Sequence, residues 1–187
     1  METHENLAWE EVNCEHIVCD EWIDFRKSTY KMPNGKISGP YYSYSRKNFV
    51  IIVATTEDDR YICVRQFRHG IKRVTTEFCA GCIEHIGDAF EDALSTAKRE
   101  LLEETGYGSN DWRHLLTVPV YATLADNYMS IFMAKNCQKI NSQQNLDNNE
   151  FLDVHLYSRD KLEEIIKDGE FSQASHILAL FMADKVR

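Results

Sequence analysis

The chain has 187 residues, 43% hydrophobic and 27% charged, with a formal net charge of −9. That length and composition suit a soluble globular protein with one sizeable core. The acidic balance excludes a general binder of the nucleic-acid backbone, which needs a basic face, while leaving room for a small anionic ligand held by a cation.

From the N-terminus, METHENLAWEEV has neither a basic stretch nor an apolar one of the kind a secretory signal requires. A cytoplasmic location is therefore expected, with reduced thiols at the six cysteines, Cys14, Cys19, Cys63, Cys79, Cys82 and Cys137. Residues 10 to 45 alternate in part and contain the turn MPNGK, which predicts antiparallel strands and a hairpin. FVIIVATT (49 to 56) is a continuous apolar run and predicts a buried strand; runs of this length cannot span a bilayer. YICVRQF (61 to 67) and EFCAGCIE (77 to 84) predict further strands, followed by a helix from about Phe90 to Thr105. WRHLLTVPVYAT, YMSIFMAKNC and FLDVHLYS predict three more strands. Between the last two, QKINSQQNLDNNE has little to bury and predicts a mobile loop. Two helices close the chain, the second with Ile177, Leu178, Phe181 and Met182 on one face and Ser172 or Ser175 near its start. Strands, helix, strands, helices in this order predict an α/β or α+β fold with one mixed sheet between helices.

The helix at 90 to 105 carries an apolar stripe of Phe90, Ala93, Leu94, Ala97 and Leu101, with Asp88 as the expected N-cap and Gly106 as the expected terminator. Its last turns hold Glu100, Glu103 and Glu104. Positions three and four apart are neighbours on a helix, so these carboxylates converge near the negative end of the helix dipole. Both effects cost stability. Either the helix end is solvated, with Lys98 and Arg99 as partial compensation, or a divalent cation such as Mg2+ or Mn2+ removes the cost. The C-x-x-C at Cys79 and Cys82, with Cys14 and Cys19, offers four thiols for zinc, without the usual ligand-loop context.

The stretch GCIEHIGDAFEDALSTAKRELLEETGY resembles the Nudix box, G-x5-E-x7-R-E-U-x-E-E-x-G-U, where U is a bulky apolar residue. From Glu91 through Arg99, Glu100, Glu103, Glu104 and Gly106 the spacing matches; Gly81 lies nine residues before Glu91 rather than five, so the loop EHIGDA is enlarged. The flank VRQFRHGIKRVTTEFCAGCIE is similar to that of ADP-ribose pyrophosphatases and other nucleotide-sugar hydrolases, with Cys79 where proline is usual. The segment VPVYATLADNYMSIFMA lacks the Ser-Pro-Gly loop of that group.

The resemblance implies a Nudix-type α/β/α sandwich with a mixed sheet and an N-terminal antiparallel strand region. Residues 1 to 45 would serve dimerisation and base binding, and 46 to 187 would form the hydrolase domain. It implies metal-dependent hydrolysis of the diphosphate in ADP-ribose or a similar nucleoside diphosphate sugar. Preference for another sugar nucleotide such as GDP-mannose, or a non-catalytic nucleotide sensor, are the alternatives. Mg2+ or Mn2+ would be held by Glu100, Glu103 and Glu104, with Glu84 and the Ala80 carbonyl assisting, and Arg99 would orient a glutamate. Arg65, Arg68 and Glu77 would meet the substrate. The general base would be Glu150 or a box glutamate; Asp147 and Asp153 are the other acids near Glu150. Trp22 and Tyr42, with Tyr41 and Tyr44, are candidates for a base clamp, or else core and interface aromatics. The expected partners are a small nucleoside diphosphate substrate and a second copy of the chain in a homodimer, with no nucleic acid and no membrane.

Overall fold

A computed structural model describes residues 7–87 and 89–186. The predicted N-cap Asp88 and the first six residues of METHENLAWEEV lie outside them. The strands are β1 (Glu10–Cys19), β2 (Asp24–Lys31), β3 (Ile37–Ser45), β4 (Phe49–Thr56), β5 (Tyr61–Arg68), β6 (Arg73–Cys82), β7 (His85–Ile86), β8 (Ala89–Phe90), β9 (Tyr107–Gly108), β10 (Asp111–Pro119), β11 (Tyr128–Lys139) and β12 (Leu152–Tyr157). The helices are α1 (Ala93–Thr105), α2 (Arg159–Lys167) and α3 (Ala174–Asp184). No described helix is long and apolar enough to cross a membrane.

Two compact units form. The described residues up to Lys47, together with Pro119–Tyr128, make one. It contains the antiparallel sheet β1–β2–β3, whose β2–β3 turn falls on the predicted Asn34-Gly35. Gly35 has φ 81°, a conformation that favours glycine at a tight turn. Asp126 ties the later segment in, accepting from Arg26 at 3.0 Å and from Ser45 Oγ at 2.5 Å.

The other unit, Asn48–Val118 with Met129–Arg187, holds a mixed sheet in the order β10–β11–β4–β6–β5–β12, with β9 paired to β11. β4 runs parallel to β11 and antiparallel to β6. Its apolar run is buried on both faces because each face is covered. Ile51 and Val53 pack with Leu162, Ile165, Phe171, Ala179 and Leu180 from α2, α3 and the turn between them. Val50, Ile52 and Ala54 pack with Ala97 and Leu101 of α1. The expected sandwich of helices around a mixed sheet is what forms.

Three local expectations change. The α1 helix starts at Ala93, where the Asp92 carboxylate accepts from Ser95 N–H at 3.0 Å; Phe90 sits outside it on β8 and is exposed. The α3 helix is rotated from its predicted face. His176, Ala179, Leu180 and Ala183 are buried, whereas Ile177 and Phe181 are exposed. The rotation follows from His176, whose Nδ1 accepts the Phe78 N–H at 3.2 Å and draws that edge inward. The N-cap of α3 is Gln173, between Ser172 and Ser175, which lie near the helix start as expected. Finally, the enlarged loop is itself folded. β7 and β8 form a two-residue hairpin turned at Gly87 (φ 62°), and Glu91 N–H donates to Glu84 C=O at 2.8 Å across its base. The insertion is pinched off, so Glu84 and Glu91 stay neighbours despite their separation in sequence.

Candidate active site

The site is built on α1 and the end of β6. Helical spacing puts Glu100 and Glu104 on the buried stripe with Ala97 and Leu101, while Glu103 turns partly outward. Arg99 gathers three carboxylates. It donates to Glu91 Oε1 and Oε2 at 3.3 and 3.0 Å, to Glu100 Oε1 at 2.9 Å and to Glu103 Oε2 at 2.9 Å. Thr96 Oγ1 adds a bond to Glu91 at 2.9 Å. The Glu91 carboxyl is held below its usual range, chiefly by the Arg99 hydrogen bond. The Arg99 guanidinium is pushed up, first by Glu91.

Glu104 is different. It is 2% exposed, and its Oε2 has no hydrogen-bond partner. The Cys79 thiol and the Ala80 backbone N–H face it from β6. Burial pushes the Glu104 carboxyl up to about 8 and that of Glu100 up to about 7, with the negative field of Glu150 contributing to both. Glu150 thus bears on both acids through its charge. Its own carboxylate accepts from Asp147 N–H at 3.1 Å, closing a turn. Three ligand oxygens of the box do not come within 4.8 Å of one another; Arg99 holds Glu100 and Glu103 to itself.

Gly81 explains why β6 needs a glycine here. A Cβ built on it would overlap the Glu100 carboxylate. Gly81→Ala is therefore expected to displace that carboxylate, lowering turnover about tenfold to a hundredfold while Tm moves by less than a degree per tenth of a kcal/mol lost. Steady-state kinetics alongside thermal melts checks this; full activity in a folded variant would contradict it.

The C-terminal end of α1 is fully accounted for. Gly106, in the left-handed region at φ 70°, donates its N–H to Leu102 C=O at 2.8 Å. The next carbonyls meet the segment after β11: Glu103 C=O accepts Asn145 N–H (2.9 Å), Glu104 C=O accepts Gln144 Nε2 (2.6 Å) and Thr105 C=O accepts Lys139 Nζ (2.7 Å). Lys139 adds a cation at the negative end of the dipole. The Asn/Gln-rich stretch expected to be mobile is thus bonded to the helix that carries the acids. Composition alone had no signal for this, because the acceptors are carbonyls forty residues away. A groove of about 710 Å³ borders the segment, lined by residues that include Gln144, Asp153 and His155 but none of the box glutamates.

Other predicted residues lie as follows. Arg68 donates Nε to both Glu77 oxygens, at 2.9 and 3.2 Å. Glu77 is fully buried and also accepts from Gln173; its burial raises its carboxyl despite Arg68. Glu77 therefore anchors Arg68 instead of presenting its own oxygens to a ligand. His176 Nε2 lies 3.6 Å from Glu77, and burial pushes this imidazole down to about 3, so it is neutral. Arg65 is exposed on β5, opposite Asp153 of β12. Glu84 is exposed, and Ala80 pairs with Ile51 on β4. In the N-terminal unit, Trp22 is exposed in the β1–β2 turn, and Tyr42 stacks on Phe25 with centroids 5.8 Å apart. Cys79 is buried against Glu104, and among the described residues no group of three ligand-type atoms gathers at the C-x-x-C.

Comparison with known proteins bears on the family and the fold. A model of the NUDIX domain matches residues 45–180. The chain is 27% identical over 166 residues to an ADP-ribose pyrophosphatase of Bacillus subtilis (strain 168), covering 89% of this chain and 87% of that one. It is 25% identical over 169 residues to a methanol dehydrogenase activator of Bacillus methanolicus, covering 90% and 89%. It is 25% identical over 132 residues to the ADP compounds hydrolase NudE of Escherichia coli (strain K12), covering 71% and 68%. A crystal structure of an ADP compounds hydrolase superposes with a TM-score of 0.80 at 23% identity, covering 96% of this chain and 94% of the other, a likeness of fold.

Proposed function

This chain belongs to the NUDIX family and is a pyrophosphohydrolase of it, and from that premise we propose that it cleaves ADP-ribose or a similar nucleoside diphosphate sugar. The products would be a nucleoside monophosphate and a sugar phosphate. The observation that carries the reading is the carboxylate cluster held by Arg99, with the buried, unpartnered Oε2 of Glu104 beside it. Its likeness to an ADP-ribose pyrophosphatase over most of both chains supports the substrate class.

The donor set fits a hard divalent cation. An unpartnered buried carboxylate oxygen and an all-oxygen set suit Mg2+ or Mn2+, which Glu100, Glu103 and Glu104 would hold, with Glu84 and the Ala80 carbonyl completing the shell. Such an ion, when bound, neutralises phosphoryl oxygens and acidifies a water. The protein's own residues do the rest. Arg99 fixes Glu100 and Glu103 in place. Glu77 fixes Arg68, leaving its terminal nitrogens, with Arg65, for phosphate contacts. Glu150 is the proposed general base, on the ground that its charge already bears on Glu100 and Glu104. Residues 1 to 45 are assigned to homodimer formation and base recognition, supported by the exposed Trp22, Tyr41 and Tyr42. We extend the proposal to a reducing, cytoplasmic setting, in which the six cysteines would stay as thiols.

The test is hydrolysis of ADP-ribose and GDP-mannose with Mg2+ or Mn2+, reading the nucleoside monophosphate by chromatography. AMP formed by the wild type and absent with Glu103→Gln supports the reading. Hydrolysis of GDP-mannose alone would reassign the sugar nucleotide, and binding without product would favour a sensor. In the same assay Glu150→Gln should lose about 10²- to 10⁴-fold in turnover with Mn2+ affinity kept; unchanged turnover removes Glu150 from the mechanism.

A further inference from the structure

β1 and β2 pair antiparallel, and their register breaks between His16 and Val18. Successive side chains on a strand alternate faces, so His16 and Cys19, three residues apart, would normally point to opposite sides. The bulge at Ile17 adds one residue and restores a common face. His16 then lies opposite Arg26, and Cys19 opposite Asp24, two residues from Arg26 on the same strand. The outcome is close convergence. His16 Nδ1 lies 2.6 Å from Asp24 Oδ1, and one ligand-type atom from each of His16, Cys19 and Asp24 lies within 4.8 Å of the others. Among the described residues, this is the group of three such side chains that comes together. Arg26 does not block it, for its closer ion pair is with Asp126, at 3.0 Å against 3.5 Å to Asp24 Oδ2.

We propose that His16, Cys19 and Asp24 form a second metal site on the β1–β2 hairpin, taking a borderline-soft divalent ion such as Zn2+ with its fourth position open to solvent. The set is one nitrogen, one sulfur and one oxygen, which suits Zn2+ or Co2+ and not Mg2+. Binding replaces the Cys19 S–H bond by a sulfur–metal bond and releases that proton to solvent. A neutral imidazole, a thiolate and a carboxylate then balance the 2+ charge. His16 and Cys19 are exposed in the single chain, so the ion has direct access there. The site shares no residue with the acidic box and does not depend on the proposed substrate.

The experiment uses the full chain, reduced and stripped of metal, titrated with Co2+ and followed by near-ultraviolet thiolate-to-cobalt charge-transfer absorption. Carboxylates give no such band, and Cys19→Ser distinguishes this site from Cys79, the thiol that faces Glu104 at the box. A band that saturates at one Co2+ per chain, bleaches with Zn2+ and withstands excess Mg2+ is expected. It should be absent in Cys19→Ser, need at least about tenfold more Co2+ in His16→Ala, and be unchanged in Cys82→Ser. Far-ultraviolet circular dichroism confirms that each variant folds. No band in the wild type, a band that survives Cys19→Ser, or one that vanishes with Cys82→Ser would overturn the assignment.

Discussion

Glu104→Gln is expected to lose about 10³-fold in turnover, roughly 4 kcal/mol of barrier, and yet to melt higher than the wild type in metal-free alkaline buffer. The two effects have one cause. Glu104 Oε2 is buried without a partner, and the carboxyl rises from an ordinary 4.5 to about 8. Between those values the folded chain keeps a proton that the unfolded chain has released. Stability therefore falls as pH rises through that window, and above about 8 the full cost is present. Glutamine carries no charge to bury, so its contribution is flat with pH. Metal-free wild type and variant should melt together near pH 5, and the variant should pull ahead by pH 9. The gain should be on the order of 1–3 kcal/mol, the scale of one buried group left unpaired. Adding Mn2+ at pH 9 should raise the Tm of the wild type more than that of the variant. An active Glu104→Gln enzyme, or parallel melting curves across pH, would remove Glu104 from the cation site.

Arg99→Met should cost turnover at least about a hundredfold and stability about 2 kcal/mol, below the range for fully buried pairs because Arg99 is one-third exposed. The side chain of methionine fills similar space but leaves Glu91, Glu100 and Glu103 with no shared donor. For a chain of this size the loss corresponds to a Tm drop of about 4–8 °C. The Glu91 component has the opposite pH sign to Glu104. Arg99 depresses that carboxyl, so its stabilisation is present above the unfolded value near 4.5 and is lost as pH falls through the lower folded one. Arg99→Lys separates charge from geometry. An ammonium restores part of the Tm but cannot span three carboxylates, so turnover should stay low. Kinetics and melts on both variants decide this. Recovery of turnover by lysine would show that charge alone suffices.

Much of the fold and site was legible because it is local. Three glutamates at i, i+3 and i+4 share a helix end whatever surrounds them, and the run FVIIVATT reads as a strand covered on both faces. The spacing from Glu91 to Gly106 likewise survives the hairpin at β7 and β8, because Glu84 and Glu91 close its base. The stripe of Ala97 and Leu101 marks the inward face of α1; what could not be read is that β6 lies against it and how deeply each acid is covered. That contact makes Glu104 a buried acid and Glu103 a half-exposed one, and it sets Gly81 against Glu100. Nor could the rotation of α3 be read, since it hangs on a bond from Phe78 to His176 across almost a hundred residues.

The sequence by itself carried the family resemblance, the order of the longer strands and helices and the row of acids, since each rests on local pattern, whereas the short strands β7, β8 and β9 were not legible. The tertiary structure decided which acid keeps one buried oxygen without a partner, how Gln144, Asn145 and Lys139 cap the helix that bears them, and how a bulge at Ile17 gathers His16, Cys19 and Asp24. Burial, register and distant hydrogen bonds depend on pairs of segments packed together, and no single stretch of chain encodes its partner.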